Sequence, residues 1–213
     1  MKFAELYNVF YTQMWFDVAM VKLFFPLETE QGIRTSLYRF TKEEKIVSLR
    51  RGMYCFSPLW NKTPLTGQAI ASVLYSPSYL SERWALSWYG IIPEKTIMYT
   101  SISTRVTRSF ENSLGNFRYR TVQKKLFFGF TQENLNSGNF LIASPEKALL
   151  DLWYLEEGQW SIDRFESWRF TPNRINNKKL LDLAKQFQHK KVQDATHLWL
   201  EFSENYDEGV EIL

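Results

Sequence analysis

The chain has a single cysteine, Cys55, among 213 residues. One thiol excludes an internal disulfide framework and a cysteine-based zinc cluster, and it fits a reducing cytoplasm. His189 and His197 are the only histidines, too few to expect a metal site without thiolates. No run approaches the roughly eighteen apolar residues that a membrane-spanning helix needs. Lys2, Glu5 and Asn8 interrupt the first residues, so no signal peptide is expected. Phosphate-cradling loops, dinucleotide-binding glycine turns and H-E-x-x-H are absent. The adjacent carboxylates Glu43–Glu44 and Glu156–Glu157 would point apart on a helix rather than converge on one atom. No cofactor is expected, and nothing resembles an active site. A large excess of one charge is missing too: the net charge is +3. Any case for an anionic partner must therefore come from where the charges sit.

Apolar and aromatic residues are abundant, at 45% and 17%. That is enough to fill a core and to exclude a disordered chain. The length suits one large domain or two small ones.

The organising stretch runs from Gln31 to Phe56. At about 100° per residue, Ile33, Leu37 and Phe40 fall on one face of a helix, with Gln31, Arg34, Thr35, Tyr38, Arg39 and Lys42 opposite. Two β-prone runs follow, Val47 to Leu49 and Met53 to Phe56, joined through Arg50, Arg51 and Gly52. A helix docked by a narrow apolar face and followed by an arginine-tipped hairpin is the pattern of a winged helix-turn-helix. The helix can enter a major groove and read base edges while the hairpin grips phosphate. Between Gln31 and Arg51 there are six Lys or Arg and two Glu. The bland alternative is a solvated helix face beside an ordinary hairpin.

Ahead of this stretch, Phe3, Leu6, Tyr7, Phe10 and Met14 recur at helical spacing. Asp17 is placed to cap a second helix ending before Pro26, apolar nearly all round and expected to be buried. Prolines and a glycine then mark a linker near Asn61 to Thr66. The expected division is residues 1–60, a winged helix, and 61–213, an α+β domain with an antiparallel sheet flanked by helices.

In the second part Ser81 is set to cap a helix over Glu82 to Tyr89, with Gly90 at its left-handed end and Pro93 beyond. Strands are expected at Thr96–Ser101, Arg105–Phe110, Asn116–Gln123, Leu126–Thr131 and Phe140–Ala143. Their short connections favour an antiparallel meander. Arg118 and Arg120 alternate with Phe117, Tyr119 and Thr121, giving one cationic and one aromatic face. The cationic face is either a wet sheet surface or a second nucleic-acid surface. Ser144-Pro145-Glu146-Lys147 opens another helix. It also matches S-x-x-K, the serine–lysine spacing of penicillin-binding enzymes, but the companion S-D-N and K-T-G elements are absent. The last third is helical and basic at first, then acidic after Leu200.

LRRGMY, SYLSERWALSWYGIIPE and ASPEKALLDLWYL, in that order, resemble the AbiEi family, antitoxins of type IV toxin–antitoxin (abortive infection) systems. The resemblance implies an N-terminal winged helix that binds inverted repeats of double-stranded operator DNA in its own promoter, an arrangement that admits a dimer on DNA. It implies as functional partner a nucleotidyltransferase toxin from the same operon, counteracted through the C-terminal domain without a stable complex. It points to Arg34, Thr35, Tyr38 and Arg39 for the groove and to Lys42, Lys45, Arg50 and Arg51 for phosphate. Glu28 and Glu30, before the helix, depart from a purely cationic approach to DNA and would repel phosphate if they face it, so that a helper surface such as Arg118 and Arg120 would then matter. The alternatives are a protein-interaction module whose winged helix no longer binds DNA, and a hydrolase or transferase using Ser144.

Overall fold

In the computed structural model, residues 1–61, 65–135 and 138–206 are described. Parts of the expected linker and of the turn at Asn136 to Asn139, and the acidic residues beyond Tyr206, lie outside them. The fold is mixed α+β.

The first apolar stripe forms α1 (Phe3–Phe10), which buries Leu6 and Phe10; Met14 lies past its end. After β1 (Phe16–Asp17), the Asp17 carboxylate accepts the Met20 amide at 2.8 Å and starts α2 (Val18–Phe24). The expectation that α2 is buried all round is overturned. Only Val18 and Val21 are covered, while Leu23, Phe24 and the following Leu27 are exposed. A two-turn helix packed from one side can bury only one stripe. Thr29 Oγ1 accepts the Gly32 amide at 3.1 Å and starts α3 (Glu30–Lys42). Ile33, Leu37 and Phe40 anchor α3 at 2% exposure or less. Each such side chain contributes about 1.5–3 kcal/mol by leaving water.

Next come β2 (Ile46–Arg50) and β3 (Met53–Phe56), paired antiparallel, with β1 on the other side of β3. Gly52, at φ +78°, makes the turn that a side chain would strain. The register slips between Ser48 and Arg50, a bulge at Leu49. The hairpin is a shared wall. Ile46 and Phe56 join the cluster formed by α1, α2 and α3, whereas Leu49, Met53 and Cys55 belong to the larger cluster of the rest of the chain. The amide of Asn112 donates to the Leu49 carbonyl at 3.0 Å and ties the two together.

The larger unit contains α4 (Gly67–Leu74), β4 (Ser78–Leu80), α5 (Glu82–Trp88), β5 (Met98–Ser103), β6 (Arg108–Asn112), β7 (Gly115–Thr121), β8 (Phe130–Leu135) and β9 (Gly138–Ala143), followed by α6 (Pro145–Leu155), α7 (Ile162–Ser167), α8 (Asn177–Phe187) and α9 (Lys190–Glu204). The strands order as β6-β7-β5-β4-β9-β8. This corrects the antiparallel meander: β5 runs parallel to β7 and β4 parallel to β9. The β6–β7 hairpin docks through its second strand, so β7 meets β5 in the same sense. β4, three residues long, gave no strand pattern, and it carries both β5 and β9. Thr66 caps α4, and the first helical residue is Gly67, where a Cβ would lie 2.1 Å from the Tyr99 ring. Among the described residues no helix is long and apolar enough to cross a membrane.

Candidate nucleic-acid interface

The row expected to face outward from α3 does so. Tyr38 is 64% exposed, and the side chains of Arg34 and Arg39 are 43% and 58% exposed. Gln31, Thr35 and Arg39 are exposed along the same helix, and Lys42 holds its ammonium 5.6 Å from the centre of the Tyr38 ring. Thr35 Oγ1 donates back to the Gln31 carbonyl at 2.9 Å, which leaves its methyl group and its acceptor capacity outward. The Arg39 guanidinium lies 5.1 Å from the centre of the Phe40 ring.

One carboxylate holds Arg34 and another stands beside Arg39, roles that the sequence pattern had not assigned them. Arg34 donates through Nε and Nη2 to Glu30 Oε1, at 3.0 and 2.6 Å. Glu43 stands 3.8 Å from Arg39 Nε and accepts from Lys45 Nζ at 2.7 Å. The Lys45 hydrogen bond, aided by the charges of Lys45 and Arg39, holds the Glu43 carboxyl below its ordinary range. The signal that could have found them is the four-residue spacing of Glu30–Arg34 and Arg39–Glu43. Glu28 sits in the turn, its carbonyl accepting Lys22 Nζ at 2.6 Å. At the hairpin tip Arg50 and Arg51 are exposed. With Lys42 and Arg118 they are in no ion pair among the described residues.

The second cationic surface comes apart. Arg118 is exposed on β7, but Arg120 is turned inward, its side chain 17% exposed. Its Nη1 donates to Glu82 Oε2 at 2.8 Å and its Nη2 to the Leu155 carbonyl that ends α6. The expected cationic face therefore reduces to Arg118, because Arg120 serves a helix end and a buried carboxylate. Glu82 opens α5 at φ +51°, and its Oε1 has no hydrogen-bond partner among the described residues. Burial raises its pKa to about 7 against the pull of Arg120.

Beside it, the two longest motifs of the second unit converge although some seventy positions separate them. Lys147 and Asp151 meet with neither side chain exposed. Lys147 Nζ also donates to the Tyr79 hydroxyl at 2.8 Å. Tyr79 and Ser81 donate to Asp151 Oδ2 at 3.0 and 2.8 Å. The rings of Phe187, Phe128 and Tyr79 surround the ammonium at 4.9, 5.0 and 5.3 Å. Burial draws the Lys147 pKa down and pushes that of Asp151 up, each opposed by the partner's charge. Ser81, expected as a capping side chain, turns to Asp151 instead. The S-x-x-K spacing forms no nucleophile–base pair. Ser144 Oγ accepts the Lys147 amide at 3.3 Å and donates to Glu146 at 2.9 Å, while the Lys147 side chain points to Asp151. Among the described residues no cluster of three potential metal ligands forms. Comparison with protein-family models and with curated proteins finds no match for this chain.

Proposed function

We propose that this chain is a DNA-binding autorepressor and the antitoxin to a nucleotidyltransferase toxin encoded beside it. On this reading residues 1–60 are a winged helix-turn-helix, with α3 as the reading helix and the β2–β3 hairpin as the wing. The observation that carries it is the division of α3 into two faces. Ile33, Leu37 and Phe40 are locked into the core, while Arg34, Tyr38 and Arg39 stand in solvent. The exposed guanidinium groups of Arg50 and Arg51 at the hairpin tip supply phosphate contacts beside the groove, with Lys42 and Lys45 along the helix end. The antitoxin part rests on the resemblance of LRRGMY, SYLSERWALSWYGIIPE and ASPEKALLDLWYL to the AbiEi family. The toxin is a functional partner that the second unit counteracts without a lasting complex, and the site of action is the cytoplasm.

The test is a titration onto duplex DNA from upstream of its own coding sequence, at two salt concentrations. Each phosphate contact steepens the log–log salt dependence by about 0.9. A steep slope with preference for the upstream duplex over a scrambled one supports repression. A flat slope, or equal affinity for both duplexes, removes it.

A further inference from the structure

The Glu30–Arg34 pair has a geometry that bears on how α3 would read a base. A guanidinium offers five N–H groups along two usable edges, one through Nε and Nη2 and one through the paired Nη1 and Nη2 ends. Glu30 Oε1 takes the first edge, receiving Nε at 3.0 Å and Nη2 at 2.6 Å. Among the described residues nothing is bonded to the second edge, on a side chain 43% exposed and near the start of α3. That second edge is the one whose two parallel donors match the O6 and N7 acceptors of guanine in the major groove. The first turns of a reading helix are where base contacts are made in helix-turn-helix docking. Glu30 is itself fixed close to the cap, directly after Thr29, whose hydroxyl accepts the Gly32 amide at 3.1 Å.

Two consequences follow from charge and entropy. A guanidinium already neutralised by a carboxylate gains less from a bare phosphate, so sequence-independent attraction is lowered. A guanidinium already oriented loses less freedom when it meets the correct base. Glu43 does not offer the same support to Arg39, since it lies 3.8 Å from that guanidinium and is committed to Lys45 at 2.7 Å.

We propose that Glu30 is a positioning residue for sequence reading, holding Arg34 so that its second edge recognises a guanine while weakening its attraction to phosphate. This rests on the DNA-binding reading above. The experiment measures binding of wild type, Glu30→Gln, Arg34→Ala and the double variant to the upstream duplex and to a scrambled duplex of equal length, at one salt concentration. The result expected for Glu30→Gln is a roughly fivefold fall in the ratio of upstream to scrambled affinity. In the Arg34→Ala background the same change leaves the ratio where it was, because there is nothing left to position. A Glu30→Gln variant that shifts both duplexes by one common factor reduces the residue to a general charge effect and overturns the proposal. So does an equal fall in the ratio with Arg34 already removed, which would make Glu30 a reader in its own right. If wild type shows no preference for the upstream duplex, the DNA reading itself falls and takes this inference with it.

Discussion

On α3, Glu30 and Arg34 meet one helical turn apart in open water; in α6, Lys147 and Asp151 meet at the same spacing with neither side chain exposed. Sequence distance makes the two pairs equivalent, and environment separates them. An exposed pair is screened, with a contribution to stability of about 0.2–1 kcal/mol. A buried pair is costly to desolvate and far costlier to split. The first is suited to a surface that binds, the second to a joint that must not open. Lys147 and Asp151 bind β4, through Tyr79, to α6, and Ser81 adds a second tether at the start of α5.

The comparison breaks first, and most severely, at Asp151. Replacing it by Ala leaves the Lys147 ammonium buried without its carboxylate, and urea unfolding should show a loss of about 3–5 kcal/mol. Replacing both partners together, Lys147→Met with Asp151→Leu, should cost less than the single change. A single variant within about 1 kcal/mol of wild type would mean that the pair is not buried as described.

The neighbouring Glu82 sharpens the same contrast through pH. In the folded chain it keeps its proton up to about pH 7, from an ordinary value of 4.5, because burial outweighs Arg120. The native state therefore holds more protons than the unfolded state across that window. The Glu82 contribution is fully present below it and is lost as pH rises towards 7. The size is on the order of 3 kcal/mol. The readout is the stability of wild type minus that of Glu82→Gln, measured from pH 5 to 8. A difference that does not change with pH would contradict the buried carboxyl.

Much of this was open to sequence reasoning, and where it stopped is instructive. The roles of Asp17, Ser144 with Pro145 and the left-handed Gly90 follow from chemistry local to each turn, and the α3 anchors follow from their helical spacing. Lys147 is legible in sequence only as part of a helix start, because its burial depends on Tyr79 and Phe187, each some forty or more positions away. Arg120 alternated correctly with Tyr119, yet its face is covered by Glu82 and by the end of α6. The parallel pairings escaped because the argument from short connections assumes that consecutive strands lie side by side, and β5 and β7 have β6 between them in sequence but not in the sheet. The outward row of α3 was legible; its carboxylate partners were visible as spacings without an assigned role.

On the exposed side the effects are smaller and fall on binding rather than folding. Arg39→Ala should weaken the upstream duplex by roughly 1–3 kcal/mol if the guanidinium reads a base, with little change for scrambled DNA, as measured by anisotropy titration. Smallest of all, Glu30→Ala should alter unfolding free energy by no more than about 0.5 kcal/mol, in contrast to Asp151→Ala. A large loss at Glu30 would erase the distinction between the two pairs.

The central claim is that α3 reads DNA through its outward row while its inward row only anchors it. The most direct measurement compares affinities for the upstream and scrambled duplexes in the variant Arg34→Ala/Tyr38→Ala/Arg39→Ala, with circular dichroism confirming that it stays folded. The account predicts a folded protein whose two affinities become equal. A folded variant that still prefers the upstream duplex would contradict it and place sequence reading elsewhere on the chain.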